Sequence, residues 1–198
     1  MERQIRVLRE TAEIGVDLVI MHAIIGMTKN TPTTLGVEIY RKIAEAAREL
    51  GVRIAIEYTE GEMYLEALMD GLRDLENVGF CIDTGHEMCY NHSQDLLAKY
   101  GNRLIMTHLN DNLGISRFDG ITFWTDDLHL LPFDGIADWD YNIERLKKSQ
   151  HMDILNFELN INSKPERHEN DVYEQMTLEQ YFTEAYKRAC KIAYKYSS

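Results

Sequence analysis

The sequence predicts an α/β fold in which a parallel sheet is covered by helices. Three observations support this class: five short apolar segments recur along the 198 residues, amphipathic helical patterns separate them, and low-complexity linkers are absent. Strands that alternate with helices form parallel sheets through right-handed crossovers. Because a domain averages ~150 residues, we expect one domain over residues 1–198.

The predicted helices follow from apolar residues at helical spacing. In the first helix, residues 2–14, Ile5, Leu8 and Ala12 share one face, and Gly15 follows where a C-terminal cap would lie. In the second, Thr34 is the expected N-cap and Gly51 the expected end. The predicted ranges after the first are about 36–50, 62–74, 93–100, 139–150 and 178–196.

The predicted strands are short, nearly continuous apolar runs, which is typical of parallel strands buried on both faces. They span residues 17–22, 52–57, 78–83, 103–108 and 153–159. A long irregular stretch at 109–138 separates the last two strands; it contains Trp124 and a turn at 132–135.

Each predicted strand carries a residue able to bind a metal at or close to its carboxyl end. These residues are His22, Glu57, Asp83, His108 and Glu158. The carboxyl ends of parallel strands line one functional face, so we expect the five side chains to converge. Mixed carboxylate and imidazole ligands suit Mn²⁺, Zn²⁺, Co²⁺ or Fe²⁺ better than Ca²⁺.

Each of these residues also has a simpler interpretation. A single histidine at a strand end is more often a hydrogen-bonded rim residue than a ligand, and a glutamate there can mark where the strand reaches water. Five ligand-type residues at five strand ends favour a metal site over five separate coincidences.

The order of the motifs resembles the sugar phosphate isomerase/epimerase superfamily, the xylose isomerase-like TIM barrels. The matching motifs are Glu57, Asp83-x-x-His86, His108-Leu109-Asn110-Asp111, Asp127-x-His129-x-x-Pro132, Asp138-Trp139 and Phe157-Glu158. The resemblance implies a xylose isomerase-like TIM (β/α) barrel that is partial, with about five of its eight strands, and places residues 17–22 near the fourth strand.

The resemblance also implies a function and a metal. In the epimerase branch the ligand positions match Glu57, Asp83, His108 and Glu158, with a divalent cation such as Mn²⁺, Zn²⁺, Co²⁺ or Mg²⁺ as cofactor. The implied activity is an isomerase or epimerase of a sugar, a sugar phosphate or an inosose. Glu57 and Glu158 would be the catalytic acid and base, exchanging a carbon-bound proton through an enediolate.

Four further residues are expected to line the same mouth. The resemblance implies that His86 contacts the substrate, and we assign His22, Asp127 and His129 to substrate binding as well. In the endonuclease branch of the superfamily, some of these positions hold additional metal ions. An apurinic endonuclease is therefore the second functional hypothesis.

Charge and length bear on the alternatives. The chain has 21 Lys and Arg against 33 Asp and Glu, a net charge of −12, and such a surface repels nucleic acid phosphates. A complete barrel of this kind has about 250 residues, so a non-catalytic metal-binding remnant is a third hypothesis. The exposed sheet edges of a partial barrel predict either a homo-oligomer or a piece of a longer chain.

Composition indicates a cytosolic protein without a membrane partner. No apolar run reaches the ~18 residues that span a bilayer, and the charged start, Met1 to Arg6, lacks the apolar core of a signal peptide. Three cysteines without paired spacing favour neither a disulfide framework nor a zinc knuckle. We expect a small carbohydrate as the partner.

Overall fold

A computed structural model describes residues 1–24, 31–90, 94–115 and 123–198. The described residues form a four-stranded, wholly parallel sheet with the order β1-β2-β3-β4. The strands are β1 (Leu18–His22), β2 (Arg53–Glu57), β3 (Val78–Asp83) and β4 (Leu104–His108). This topology confirms the predicted α/β class with sequential parallel strands.

Helices precede, connect and follow the strands. They are α1 (Glu2–Glu13), α2 (Thr34–Glu49), α3 (Glu62–Gly71), α4 (Thr84–Tyr90), α5 (Leu96–Tyr100), α6 (Phe123–Asp126), α7 (Trp139–Lys148), α8 (Asp171–Glu174) and α9 (Leu178–Ser197). A 3₁₀ turn, Gly101–Arg103, leads from α5 into β4. The predicted helix start at Ser93 and part of the irregular stretch at 109–138 lie outside the described residues.

The cap of α2 corrects one prediction. Thr33, not Thr34, is the N-cap, and its Oγ1 accepts a hydrogen bond from Gly36 N at 3.1 Å. The two threonines are adjacent, so the sequence alone could not decide which of them leaves the helix. Gly51 lies at φ +71° directly after the helix, as a C-terminal glycine should.

The fifth predicted strand, residues 153–159, is wrong as a strand. This segment makes a single parallel bridge, Leu109 to Phe157, and Leu109 N donates to Asn156 O at 2.9 Å. Asn156 N donates to the Thr107 side chain rather than to a backbone carbonyl, so a side chain interrupts the ladder beside β4. The described part of the chain therefore has four strands, not five, with the segment carrying Glu158 alongside β4.

The two faces of the sheet have different roles. Ile54 and Ile56 of β2 and Phe80 and Ile82 of β3 belong to the large apolar core shared with the helices. Side chains alternate along a strand, so Glu57 and the residues of β2 in phase with it lie on the opposite face. The apolar face packs in the core, whereas polar groups lie on the opposite face at the carboxyl ends of the strands.

Candidate functional site

Sheet register brings the predicted ligands together at one edge. His22 is the partner of Glu57 in the pairing of β1 with β2, and Asp83 is the partner of His108 in the pairing of β3 with β4. All four are the last residues of their strands. Parallel pairing therefore aligns four polar side chains at the carboxyl edge, as the sequence predicted.

The centre of the site is a group of four side chains, defined here as the central cluster. It consists of Glu57, Asp83, His108 and Glu158, and one ligand atom from each lies within 4.8 Å of the others. His108 Nδ1 lies 2.9 Å from Glu57 Oε1 and 2.7 Å from Glu158 Oε2. Glu57 and Asp83 are buried, whereas the side chain of Glu158 is 43% exposed. Glu158 is thus the carboxylate of the cluster that solvent reaches.

Two further histidines contact Glu57. His22 Nε2 lies 3.0 Å from Glu57 Oε2, and His86 Nδ1 lies 3.4 Å from Glu57 Oε1. His86 Nδ1 is also 2.8 Å from the Tyr58 carbonyl, which accepts only from an N–H, so the imidazole carries a proton on Nδ1. Glu57 is therefore surrounded by three imidazoles.

Asp127 and His129 extend the cluster toward the loop after α6. Asp127 Oδ2 lies 3.2 Å from His86 Nε2, and Asp127 Oδ1 lies 3.4 Å from His129 Nε2. The second contact lacks hydrogen-bond alignment, and both Asp127 Oδ1 and His129 Nε2 are buried without a hydrogen-bond partner in the described part of the structure. Asp83, His86 and His129 form a second group of potential ligands within 4.8 Å.

The charges in the central cluster depend on one another. Burial raises the pKa of Glu57, but hydrogen bonds from His108, His22 and His86 outweigh burial and lower it. Burial lowers the pKa of His108, yet its contacts with Glu158 and Glu57 raise it to about 10. The hydrogen bond from His108 lowers the pKa of Glu158, whereas burial raises that of Asp83. Three ionised carboxylates this close together repel one another, so they need positive charge between them.

The donor set fits a divalent cation. Carboxylate and imidazole ligands are those of Mn²⁺, Zn²⁺, Co²⁺ and Fe²⁺ sites, and the four ligand atoms already lie within 4.8 Å. A cation would supply the positive charge that protonated imidazoles supply in the ion-free chain. Glu57, Asp83, His108 and Glu158 are the residues that could hold it.

Asn110 supports the cluster, a role that was not predicted from the sequence. Its Nδ2 donates to both oxygens of Asp83, at 3.1 and 3.0 Å, and the residue is fully buried. Thr84 Oγ1 donates to Asn110 O and accepts from Asn110 N. Gly85 lies against the Asn110 side chain so closely that a Cβ would collide with Oδ1. The sequence feature that could have indicated this role is the motif His108-Leu109-Asn110-Asp111, which contains Asn110.

Asp111, from the same motif, organises the loop that follows the site. Its carboxylate accepts from Phe133 N, Ala137 N and Trp139 Nε1, each at 2.9 Å, and it is fully buried. The loop between the site and α7 is therefore hydrogen-bonded to Asp111, three residues after His108.

The fold and these motifs agree with a comparison of the sequence with known families. Residues 1–181 match the family described as "Xylose isomerase-like TIM barrel". The chain belongs to this family. The membership confirms the resemblance and the partial TIM-barrel architecture. No curated protein shows significant sequence similarity to the chain.

Several solved structures have a similar fold. The IolI protein with a bound zinc atom has a TM-score of 0.75 at 19% identity, covering 98% of this chain and 69% of that chain. D-psicose 3-epimerase from Clostridium cellulolyticum H10 has a TM-score of 0.70 at 16% identity, covering 98% and 70%. The 3-keto-D-glucoside 4-epimerase YcjR from E. coli has a TM-score of 0.65 at 16% identity, covering 96% and 70%. This chain thus spans about 70% of each neighbour.

The structure brings together every residue that the sequence assigned to the site. The eight residues are His22, Glu57, Asp83, His86, His108, Asp127, His129 and Glu158. Their roles as ligands, acid, base or substrate contacts stay predictions. Within the described ranges, no helix is both long and apolar enough to cross a membrane.

Proposed function

We propose that this protein is a metal-dependent sugar isomerase or epimerase that moves a proton at the carbon beside a carbonyl group. The observation that carries the proposal is the pair of glutamates at His108: Glu57 from β2 and Glu158 from the segment beside β4 both contact its Nδ1. Two carboxylates on either side of a substrate carbon can serve as base and acid in turn. Similar folds in an IolI protein and in sugar epimerases support the same reaction class.

The proposed mechanism gives each residue of the cluster a task. Glu57, Asp83, His108 and Glu158 would hold the cation, which when bound supplies Lewis acidity toward a substrate carbonyl and its neighbouring hydroxyl. Glu57, whose carboxylate the three imidazoles hold ionised, removes the proton from the carbon next to the carbonyl and leaves an enediolate. Return of a proton from the other side by Glu158, the carboxylate that solvent reaches and can protonate, inverts that carbon, and return to the adjacent carbon isomerises the sugar.

The histidines around Glu57 prepare it for this exchange. They lower the pKa of Glu57 against the effect of burial, so the carboxylate is held ionised and oriented. His86 is fixed between the Tyr58 carbonyl and Asp127, and we assign it to a substrate hydroxyl. His22, Asp127 and His129 complete the substrate-binding surface in this proposal.

Deuterium exchange tests the proposal directly. The Mn²⁺-loaded protein is incubated in D₂O with a panel of ketoses and inososes, and loss of the proton beside the carbonyl is followed by NMR. We expect exchange with the wild type and none with Glu158→Gln, which keeps an oxygen donor for the cation. Glu179→Gln on the exposed start of α9 is the matched control. Undiminished exchange in Glu158→Gln would refute the assignment.

The second group of potential ligands favours one other candidate function. Asp83, His86 and His129 lie close enough to bind a cation of their own, and an apurinic endonuclease of this superfamily would use several. The net charge of −12 opposes binding to a phosphate backbone. Incision of an abasic duplex oligonucleotide would establish this candidate in place of the isomerase.

The single domain, the cytosolic location and the oligomeric state stay predictions from the sequence.

A further inference from the structure

A tryptophan and a lysine, Trp124 and Lys164, lie together beside the site. Trp124 lies on α6, three residues before Asp127, and is 54% exposed although it is large and apolar. Lys164 Nζ lies 5.8 Å from the centroid of its ring. Lys164 comes from the segment that follows Glu158. The two loops that contribute Asp127 and Glu158 to the site thus also contribute this pair.

Hydrogen bonds hold the two loops together. Asn160 N donates to His129 O at 2.9 Å, and the Asn160 side chain lies 3.3 Å from His129 Nδ1. Arg167 Nη1 donates to the buried carboxylate of Asp126 at 2.8 Å. Lys164 N donates to Glu169 Oε1 at 2.8 Å. The ring and the ammonium are therefore placed by the backbone and by ion pairs next to them.

The Lys164 ammonium is available to a ligand. Within the described ranges it forms no ion pair with a carboxylate, although it is half-buried. Arg167, the neighbouring cation, is already engaged by Asp126. Burial raises the pKa of Asp127, but His86, His129 and Lys164 together lower it, so the Lys164 charge reaches the site electrostatically.

These features suit the binding of a sugar that carries a charged group at the end remote from its carbonyl. The apolar C–H face of a carbohydrate packs well on an exposed indole ring, and an ammonium donates strong hydrogen bonds to carboxylate or phosphate oxygens. The central cluster is rich in carboxylates and would repel an anionic group, which favours its placement at the rim beside Lys164.

We infer that Lys164 binds the anionic group of an acidic carbohydrate, either a carboxylate or a phosphate, whose apolar face packs on Trp124 while its carbonyl end lies at Glu57 and Glu158. The inference rests on the proposed isomerase or epimerase function, and it makes Lys164 the residue that separates acidic from neutral sugars.

The test uses matched sugars and four proteins. The probes are D-fructose, D-fructose 6-phosphate and D-fructuronate, which share a ketose core and differ in charge. Wild type, Lys164→Gln, Lys164→Arg and the control Lys187→Gln, an exposed lysine on α9, are compared. Binding is measured by calorimetry and by quenching of tryptophan fluorescence, with Trp124→Phe identifying the quenched residue, and exchange in D₂O is measured in parallel.

We expect the wild type to bind at least one acidic sugar more tightly than D-fructose. Lys164→Gln should weaken that binding by about tenfold or more, the scale of a lost charge-assisted hydrogen bond, and leave D-fructose unchanged. Lys164→Arg should restore most of the affinity, and Lys187→Gln should have no effect. Whichever of the phosphate and the carboxylate responds identifies the anionic group.

Three results would overturn the inference: no preference of the wild type for either acidic sugar, an equal loss for neutral and acidic sugars in Lys164→Gln, or an equal loss in Lys187→Gln. The calorimetric and fluorescence readouts do not need turnover. Binding that depends on Lys164 without exchange would therefore support this site and refute the proposed function, whereas exchange that ignores Lys164 would do the reverse.

Discussion

At the scale of single residues, the site depends on how Asp83 is held. A carboxylate this deeply buried costs free energy unless its oxygens are hydrogen-bonded, and Asn110 donates to both of them. His86 N donates to Asp83 Oδ1 at 2.7 Å, so the first turn of α4 contributes a third hydrogen bond. Asp83 therefore has one orientation before any cation is present.

Asn110→Ala should lower the affinity for a divalent cation by about tenfold to a hundredfold, as is usual when a partner that orients a ligand is lost. The physical reason is that Asp83 loses two donors and gains rotational freedom. Calorimetric titration with Mn²⁺ measures the effect. Asn102→Ala, at an exposed position, should bind like the wild type, and an unaltered affinity of Asn110→Ala would show that Asn110 does not position Asp83.

The sequence could predict the candidate ligands but not the residues that support them. Four of them were predictable because each ends a nearly continuous apolar run, a pattern that can be recognised in the sequence itself: His22, Glu57, Asp83 and His108. The role of Asn110 depends on an approach to Asp83 from 27 residues away, through the pairing of two strands. The missing hydrogen bonds of Asp127 and His129 are likewise a property of the folded chain.

At the scale of elements, apolar periodicity explains which predictions succeeded. The sequence predicted α2, α7 and α9 because each has an amphipathic face. It missed α4, whose seven residues include Gly85 and the polar Thr84, His86 and Glu87 and are nearly all buried, so no exposed polar face marks the helix. The apolar run at 153–159 was misread because its hydrogen bonds depend on Thr107 of β4.

Asp111→Asn should destabilise the protein by about 3 kcal/mol, because the buried carboxylate accepts several donors and an amide group would place its own N–H groups against them. Urea unfolding followed by circular dichroism measures the change. Asp153→Asn, at a fully exposed position, should change stability by less than ~0.5 kcal/mol. Equal stabilities of the two variants would mean that the loop before α7 does not depend on Asp111.

Asp95 is the N-cap of α5, and its lowered pKa predicts that the fold loses stability in acid. Burial raises its pKa, but Ala98 N–H and the Arg145 guanidinium lower it below the ordinary value of 3.8. A lowered pKa stabilises the fold above pH 3.8, and this contribution is lost as the pH falls through the pKa of the folded state. Asp95→Asn keeps an acceptor but not the charge. Its unfolding free energy should lie below that of the wild type at pH 7 and converge with it in acid; a constant difference would contradict the pKa shift.

At the scale of the whole molecule, the predicted class followed from the alternation of strands and helices, and the architecture followed from the motif order. The segment carrying Glu158 lies beside β4 through one bridge, so this part of the site depends on tertiary contacts rather than on a strand of its own. A ligand that joins Glu158 to the other three residues should therefore stabilise the fold as a whole.

Addition of Mn²⁺ at a hundredfold excess over its dissociation constant should raise the free energy of unfolding by about 2.7 kcal/mol, since the folded chain alone has the assembled site. Thermal unfolding with and without the cation measures the gain, and a chelator should reverse it. Asp83→Asn should show little or no gain, whereas Asp153→Asn should show the full gain. Equal gains in both variants would place the cation elsewhere.

The most direct test of the central claim is a calorimetric titration of the chelator-treated protein with Mn²⁺, performed on the wild type, His108→Ala and the control His151→Ala. His108 joins Glu57 and Glu158, whereas His151 is exposed beside Tyr196. We predict saturable binding to the wild type and to His151→Ala, and loss of that binding in His108→Ala. Absence of saturable binding to the wild type, or equal binding to both variants, would contradict a metal site at the central cluster.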